Sequence, residues 1–156
     1  MSAPEIFREL RFRPRVVAEL LHEVLRVPLP VYDHVAAEAL DGGPPGDDAP
    51  LVVVLSQARF PQCAIVVDAL DSCELSSRLA WAKWADQVAE RLQIAVLSVV
   101  VTSDEVVEHW AKQPVHVDED RVFEPHVIGP SCIPTDGNRT PALVLMTIAR
   151  KILPRA

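Results

Sequence analysis

Three runs of consecutive apolar, mostly β-branched residues constrain this chain most: Leu51–Ser56 (LVVVLS), Cys63–Leu70 (CAIVVDAL) and Ile94–Val101 (IAVLSVVV). A strand with one wet face alternates apolar and polar residues, so a run without alternation reads as a strand covered on both faces. Such strands need a layer above and a layer below. Between the second and third runs, Leu75–Leu92 carries Trp81, Trp84, Ala85, Val88 and Leu92 on one helical stripe, with Lys83, Asp86, Glu90 and Arg91 away from it. Ahead of the first run, Pro14–Arg26 places Val17, Leu20, Leu21, Val24 and Leu25 on one face, with Pro14 in the first turn and Pro28 and Pro30 as stops.

The remaining segments fill in around these. Tyr32–Leu40 is read as a first strand, and Asp41–Pro50 as a loop, holding three of the five glycines and three prolines. Pro61 lacks a ladder donor, so Arg59-Phe60-Pro61 marks a hairpin turn. Thr102-Ser-Asp-Glu105 spells a capping box for a helix ending near Gln113, before Pro114. Val115–Val117 and Val122–Ile128 are short edge strands, and Thr140–Leu153 is a C-terminal helix with Pro141 in its first turn. A meander, then a crossover helix into another buried strand, predicts an α/β fold with a mixed central sheet flanked by helices. The 156 residues suit one domain, with residues 1–13 as a mobile N-terminal arm.

Several classes of function are disfavoured. Fifteen basic against 22 acidic residues, a net charge of −7, argue against a broad electrostatic grip on nucleic acid or anionic lipid. Charges interrupt residues 1–10 where a signal peptide needs an apolar core, and the best apolar run is a strand's length, so no membrane partner is expected. Cys63, Cys73 and Cys132 are scattered, which suits a reducing cytosol and not a disulfide or zinc scaffold. Phosphate-binding glycine loops, the nucleophile elbow and the H-E-x-x-H motif are absent from the sequence. His116-Val-Asp118 could set two ligands on one strand face, though a solvated edge strand explains the pattern more simply. Trp81, Trp84 and Trp110 lie on helical stripes and read as core, not as a platform for bases.

The acidic residues Glu38, Asp47, Asp48 and Asp68 carry the chemistry. Asp68 stands inside an apolar strand, so its carboxylate must be paired, metal-bound, protonated or at the strand's exposed end. Carboxylates from neighbouring strands can converge on Mg²⁺, which takes oxygen ligands and can generate a hydroxide nucleophile. The plainer alternative is that Asp68 ends its strand and pairs locally.

From about Val27 to Pro134 the chain resembles small bacterial proteins of the PD-(D/E)XK nuclease superfamily, in its transposase-like, recombination-promoting branch. The residues that carry the likeness are Val27-Pro-Leu-Pro-Val-Tyr-Asp33 and the following Glu38, strand Leu51–Leu55, Ile65-Val-Val-Asp68, Arg78-x-x-Trp81-x-x-Trp84, Val107-x-x-Trp110-Ala111 and Val127-Ile-Gly-Pro130. The resemblance implies a restriction-endonuclease-like α-β-β-β-α-β core and an Mg²⁺ site that includes Glu38 and Asp68. It departs from the family pattern where the second-strand Asp becomes Pro50 and the Lys or Gln becomes Leu70. Asp48 could stand in as a ligand only if its loop bends back, and Lys83 or Arg78 could supply the missing cation as catalyst or nucleic-acid contact. The expectation is a catalytically degenerate nuclease-fold protein acting as a binding or assembly module, with no cofactor. One alternative is an active Mg²⁺-dependent DNA endonuclease, with a basic groove of Arg11, Arg13, Arg15, Arg78 and Lys83 facing Asp68. Another is a homo-oligomeric, partner-binding protein, joined through the Val115–Val117 edge or the tryptophan-bearing helix.

Overall fold

The structure, a computed structural model, describes residues 2–47 and 50–132. The elements run α1 (Ala3–Phe12), α2 (Arg15–Glu23), β1 (His34–Glu38), β2 (Leu51–Gln57), β3 (Phe60–Ala69), α3 (Leu75–Leu92), β4 (Ala95–Val101), α4 (Glu105–Ala111), β5 (Val115–His116), β6 (Val122–Phe123) and β7 (His126–Ile128), followed by a 3₁₀ turn at Pro130–Cys132. Five strands form a mixed sheet in the order β1-β2-β3-β4-β7. The first three are antiparallel, and β4 and β7 run parallel to their neighbours. β5 and β6 form a separate small hairpin.

The uninterrupted apolar runs do what two-sided burial requires. Odd-numbered residues of β2 and β3, among them Val53, Ile65 and Val67, pack against Ile6, Phe7, Leu10, Val17, Leu20 and Leu21 of α1 and α2. Even-numbered Val52, Val54, Ala64 and Val66 pack against Val88, Trp84 and Leu92 of α3. α4 and the β5–β6 hairpin extend this second layer, with Val107, Ala111, Val115 and Phe123 around Trp81, Val100 and Val127. The result is a three-layer α/β/α arrangement in which β3 and β4 are parallel neighbours joined by α3.

Two expectations need correction. Residues 1–13 are not an arm. Ser2 and Glu5 form a capping box, Ser2 Oγ accepting from the Glu5 amide and Glu5 Oε2 from the Ser2 amide, and Ile6, Phe7 and Leu10 are buried. The cap of α4 is Asp104, not Thr102. Asp104 Oδ1 accepts from the amides of Val106 and Val107 at 2.8 and 3.0 Å, whereas Thr102 is buried at the end of β4 and its amide donates to Ile128. The strand expected at Val115–Val117 is found as β5, paired with β6 in the small hairpin and apart from the main sheet. The helix expected at Thr140–Leu153 lies outside the described residues.

The β2–β3 hairpin closes through Ala58 and Arg59, both with positive φ (50° and 71°), between the paired residues Gln57 and Phe60. Two positive φ values in a two-residue turn are the signature of type I′, which favours Asn-Gly. Side chains with a Cβ are strained there. Replacing Ala58-Arg59 by Asn-Gly is therefore expected to stabilise the protein by about 1–2 kcal/mol. A rise in the urea midpoint without change of slope would show it, and an unchanged or lower midpoint would refute the turn assignment.

Candidate functional site

Asp68 lies on the face of β3 that meets α3, and only 2 % of the residue is exposed. Its register partner on β4 is Val100, and Leu70, two residues on and on the same face, is buried with Val100 and Trp81. Trp81 Nε1 donates to Asp68 Oδ2 at 2.8 Å. The other carboxylate oxygen, Oδ1, is buried without a hydrogen-bond partner among the described residues, and so is Ser98 Oγ. Asp68 and Ser98 both line one small crevice beside Trp81, Trp84 and Pro125. Burial pushes the Asp68 carboxyl up to about 6. The Trp81 hydrogen bond opposes this, Glu74 adds to it, and Ser77 and the Ala69 amide oppose it.

Trp81 links this carboxylate to a wider set of contacts. Its ring meets Trp110 edge-on at a centroid distance of 5.8 Å and an interplanar angle of 66°. The Arg78 guanidinium lies over the Trp110 ring at 5.2 Å. The same guanidinium donates to the carbonyls of Trp110 (2.7 Å), Gln113 and Pro114 (both 3.1 Å). Carbonyls at a helix end lack intrahelical partners, and Arg78 supplies donors at the end of α4. The residue expected to touch nucleic acid is thus held by the protein's own backbone.

Glu38 and Asp68 share a face of the sheet but do not meet. Glu38 sits opposite Val52, which sits opposite Val66, two residues short of Asp68. Two strand spacings and one pleat repeat separate the Cα atoms by about 12 Å. Their partners on α3 are also far apart. Arg91 Nη2 donates to Glu38 Oε1 at 2.5 Å, whereas Trp81 holds Asp68. Those two anchors are separated by about 15 Å along the helix axis. Mg²⁺ takes its oxygens at about 2.0–2.1 Å, and these two carboxylates do not form a common ligand set for it. Among the described residues, no group of three or more His, Cys, Asp or Glu is arranged to hold a metal ion. Asp48 lies outside the described residues.

The cations fare similarly. Lys83 is exposed on α3, flanked by Ala82 and Trp84, which turn inward. Arg11 pairs with Asp47, Arg13 with Glu9 at 3.6 Å, and Arg15 lies over Tyr32. These three arginines belong to the α1–α2 layer, across the sheet from Asp68. The expected basic groove facing Asp68 is not assembled. At the Glu38 end, a groove of about 670 Å³ opens beside Leu40, Asp41, Pro50, Gln87 and Arg91.

The sequence reading passed over a second buried carboxylate, Glu108 of α4. It accepts from the Ser131 amide (3.1 Å) and hydroxyl (2.5 Å), and Lys112 Nζ lies 3.4 Å away. A Cβ added at Gly129 would lie 2.5 Å from its carboxyl carbon. Burial pushes the Glu108 carboxyl up. Ser131 and Lys112 outweigh that and hold it below the ordinary carboxylate range. The available signal was Gly129 in an apolar segment, since a strand-end glycine often marks close approach of another group. This carboxylate is fully engaged and acts as a clamp between α4 and the turn at Pro130–Cys132.

Two variants separate these carboxylates. The Asp68 carboxyl titrates near 3.8 when unfolded and near 6 when folded, so folding takes up a proton between those values. Its contribution is present below pH 4 and is lost as pH rises through 6, a cost approaching about 3 kcal/mol above pH 7. Asp68→Asn is expected to flatten stability between pH 4 and 7 and to raise the melting temperature at pH 8. A lower melting temperature at pH 8 would contradict this. Gly129→Ala, which drives a methyl into the Glu108 carboxylate, is expected to destabilise by about 2–4 kcal/mol, read from chemical denaturation. Comparison with protein-family models, with curated proteins and with solved structures finds no match to this chain.

Proposed function

We propose that this protein is a binding or assembly module on a nuclease-like frame whose acidic positions serve as internal fasteners. The observation that carries this reading is the state of Asp68, whose carboxylate is buried and bound to the Trp81 indole. A metal-dependent nuclease needs carboxylates that share an ion and a cation that meets the developing charge. Here Glu38 is tied to Arg91, Leu70 is core, and Arg78 is tied to the end of α4. The element order α2-β1-β2-β3-α3-β4 supports the likeness to the α-β-β-β-α-β core of PD-(D/E)XK proteins. It carries the frame alone, since one fold hosts many functions.

The surface adds support. Leu75 and Leu79 stand one turn apart on α3 and are about two-thirds exposed, and Val106 of α4 is similarly open. Exposed large apolar residues on helices that already bury another face are candidates for partner contact. The tryptophans do not provide that face, because Trp81 is buried and Trp84 packs toward the sheet. Among the described residues, no helix is long and apolar enough to cross a membrane.

Calorimetry with Mg²⁺ and with Mn²⁺ is expected to show no saturable binding, and supercoiled plasmid is expected to remain unnicked in the presence of either ion. Nicking that disappears in Asp68→Ala would overturn the reading and restore the endonuclease.

A further inference from the structure

Among the described residues the main sheet has two edges, β1 and β7, and they are treated differently. β7 is three residues long, and the short length itself limits pairing. β1 is five residues long and half-buried along most of its length, while its neighbour β2 is buried over Leu51–Leu55. Sheet edges are usually blunted by Pro, Lys, a bulge or an inward charge. β1 reads His-Val-Ala-Ala-Glu and has none of the first three. Its register against β2 is regular from His34 to Glu38, and the one bulge in β2 faces β3 at Leu55/Ser56. The only carboxylate in β1, Glu38, is already neutralised by Arg91.

The order of residues along this edge is self-complementary. In an antiparallel pair of two identical strands centred on Ala36, His34 of each copy lies opposite Glu38 of the other. Val35 then lies opposite Ala37, and Ala36 opposite itself. The side chains of His34 and Glu38 share one face of the sheet, and those of Val35 and Ala37 share the other. A two-fold axis thus places two His–Glu cross-strand pairs at the rim, each an imidazole N–H facing a carboxylate, and small residues at the centre, where backbones can approach. Directly opposed pairs of this kind stabilise antiparallel strands, and like charges in the same places destabilise them. Glu38 Oε1 already accepts from Arg91, and a carboxylate can accept from more than one donor. Local complementarity is what such a contact requires, because each chain carries −7 overall and that repulsion is screened beyond about 8 Å at physiological salt.

We propose that the partner of this edge is a second copy of the chain, joined β1 to β1 about Ala36 into a continuous ten-stranded sheet. This rests on the assembly reading above and names its partner. The contact is isologous, as a closed two-fold dimer demands.

Sedimentation of the full chain is expected to show a dimer at tens of micromolar, with concentration-dependent protection of the 34–38 amides in hydrogen exchange. His34 is exposed, so His34→Glu should leave the fold intact by circular dichroism. It sets Glu opposite Glu twice and is expected to weaken dimerisation at least tenfold, while His34→Gln weakens it less. A monomer at every concentration would overturn the proposal, and so would a dimer indifferent to His34→Glu with unprotected 34–38 amides. Either result leaves the nicking and metal titrations to judge the module reading on their own.

Discussion

Strands that are apolar on both faces cannot exist in water without two covering layers, and that requirement organises this protein. β2 over Leu51–Leu55, β3 over Cys63–Ala69 and the second half of β4 are buried on both sides. α1 and α2 satisfy one side, and α3, α4 and the small hairpin satisfy the other. Because β3 continues into a crossover helix, β4 is parallel to it and central. The even-numbered side chains of β3 from Ala64 onward then point beneath α3. Asp68 is one of them, so the burial of its carboxylate follows from its register and not from a designed cleft.

Burial makes polar groups expensive unless they are paired, and the buried carboxylates Asp68 and Glu108 both have internal donors. Asp104 caps α4, Glu108 holds the turn after β7, and Arg121 binds Asp86 through two nitrogens at 2.9 Å each. Glu38 and Arg91 join β1 to the last turn of α3. Exposed pairs such as Arg121–Asp86 contribute little on their own, on the order of 1 kcal/mol or less. The buried ones matter through what would be left unpaired if either member were removed. The two segments Val107-x-x-Trp110 and Val127-Ile-Gly-Pro130 are neighbours for the same reason: the Glu108 carboxylate occupies the space a side chain at 129 would take.

Long periodic features were legible in the sequence, and features made by distant partners were not. α3 is found over Leu75–Leu92, the span its period of 3.6 marked out, because eighteen residues give a strong signal and Gln93 ends it in a left-handed turn at φ 55°. The apolar runs located β2, β3 and β4 to within a few residues. Ser2-Ala-Pro-Glu5 carries the spacing of the capping box that starts α1, a local signal set among charges that by themselves suggest a solvated segment. Thr102 looked like a cap from its T-x-x-E spacing, but its amide still belongs to the sheet, bonded to Ile128. That bond spans 26 positions, and no local pattern reports it. The same holds for Asp68: its position in an apolar strand announced an unusual carboxylate, but the donor that meets it lies on the following helix.

That donor also explains why Arg78 and Asp68, read as parts of one reaction centre, do belong together in a different sense. The Asp68 carboxylate takes the Trp81 N–H, the Trp81 ring meets the Trp110 ring, and Arg78 covers Trp110 while donating to three carbonyls at the end of α4. The chain of contacts runs from β3 through α3 to α4. A hydrogen bond to a charged group contributes about 1.5–3 kcal/mol. With that bond in place the carboxyl still titrates near 6, so the ionised pair remains a net cost above pH 7. What it adds is direction. An indole N–H aimed at a fixed oxygen fixes the rotation of α3 about its axis, and with it the place of Arg78 one turn earlier. Apolar packing of Ala82, Ala85 and Val88 against valines would tolerate small rotations that this bond does not. The motif Arg78-x-x-Trp81-x-x-Trp84 and the strand Asp therefore act as one device that orients the second helical layer.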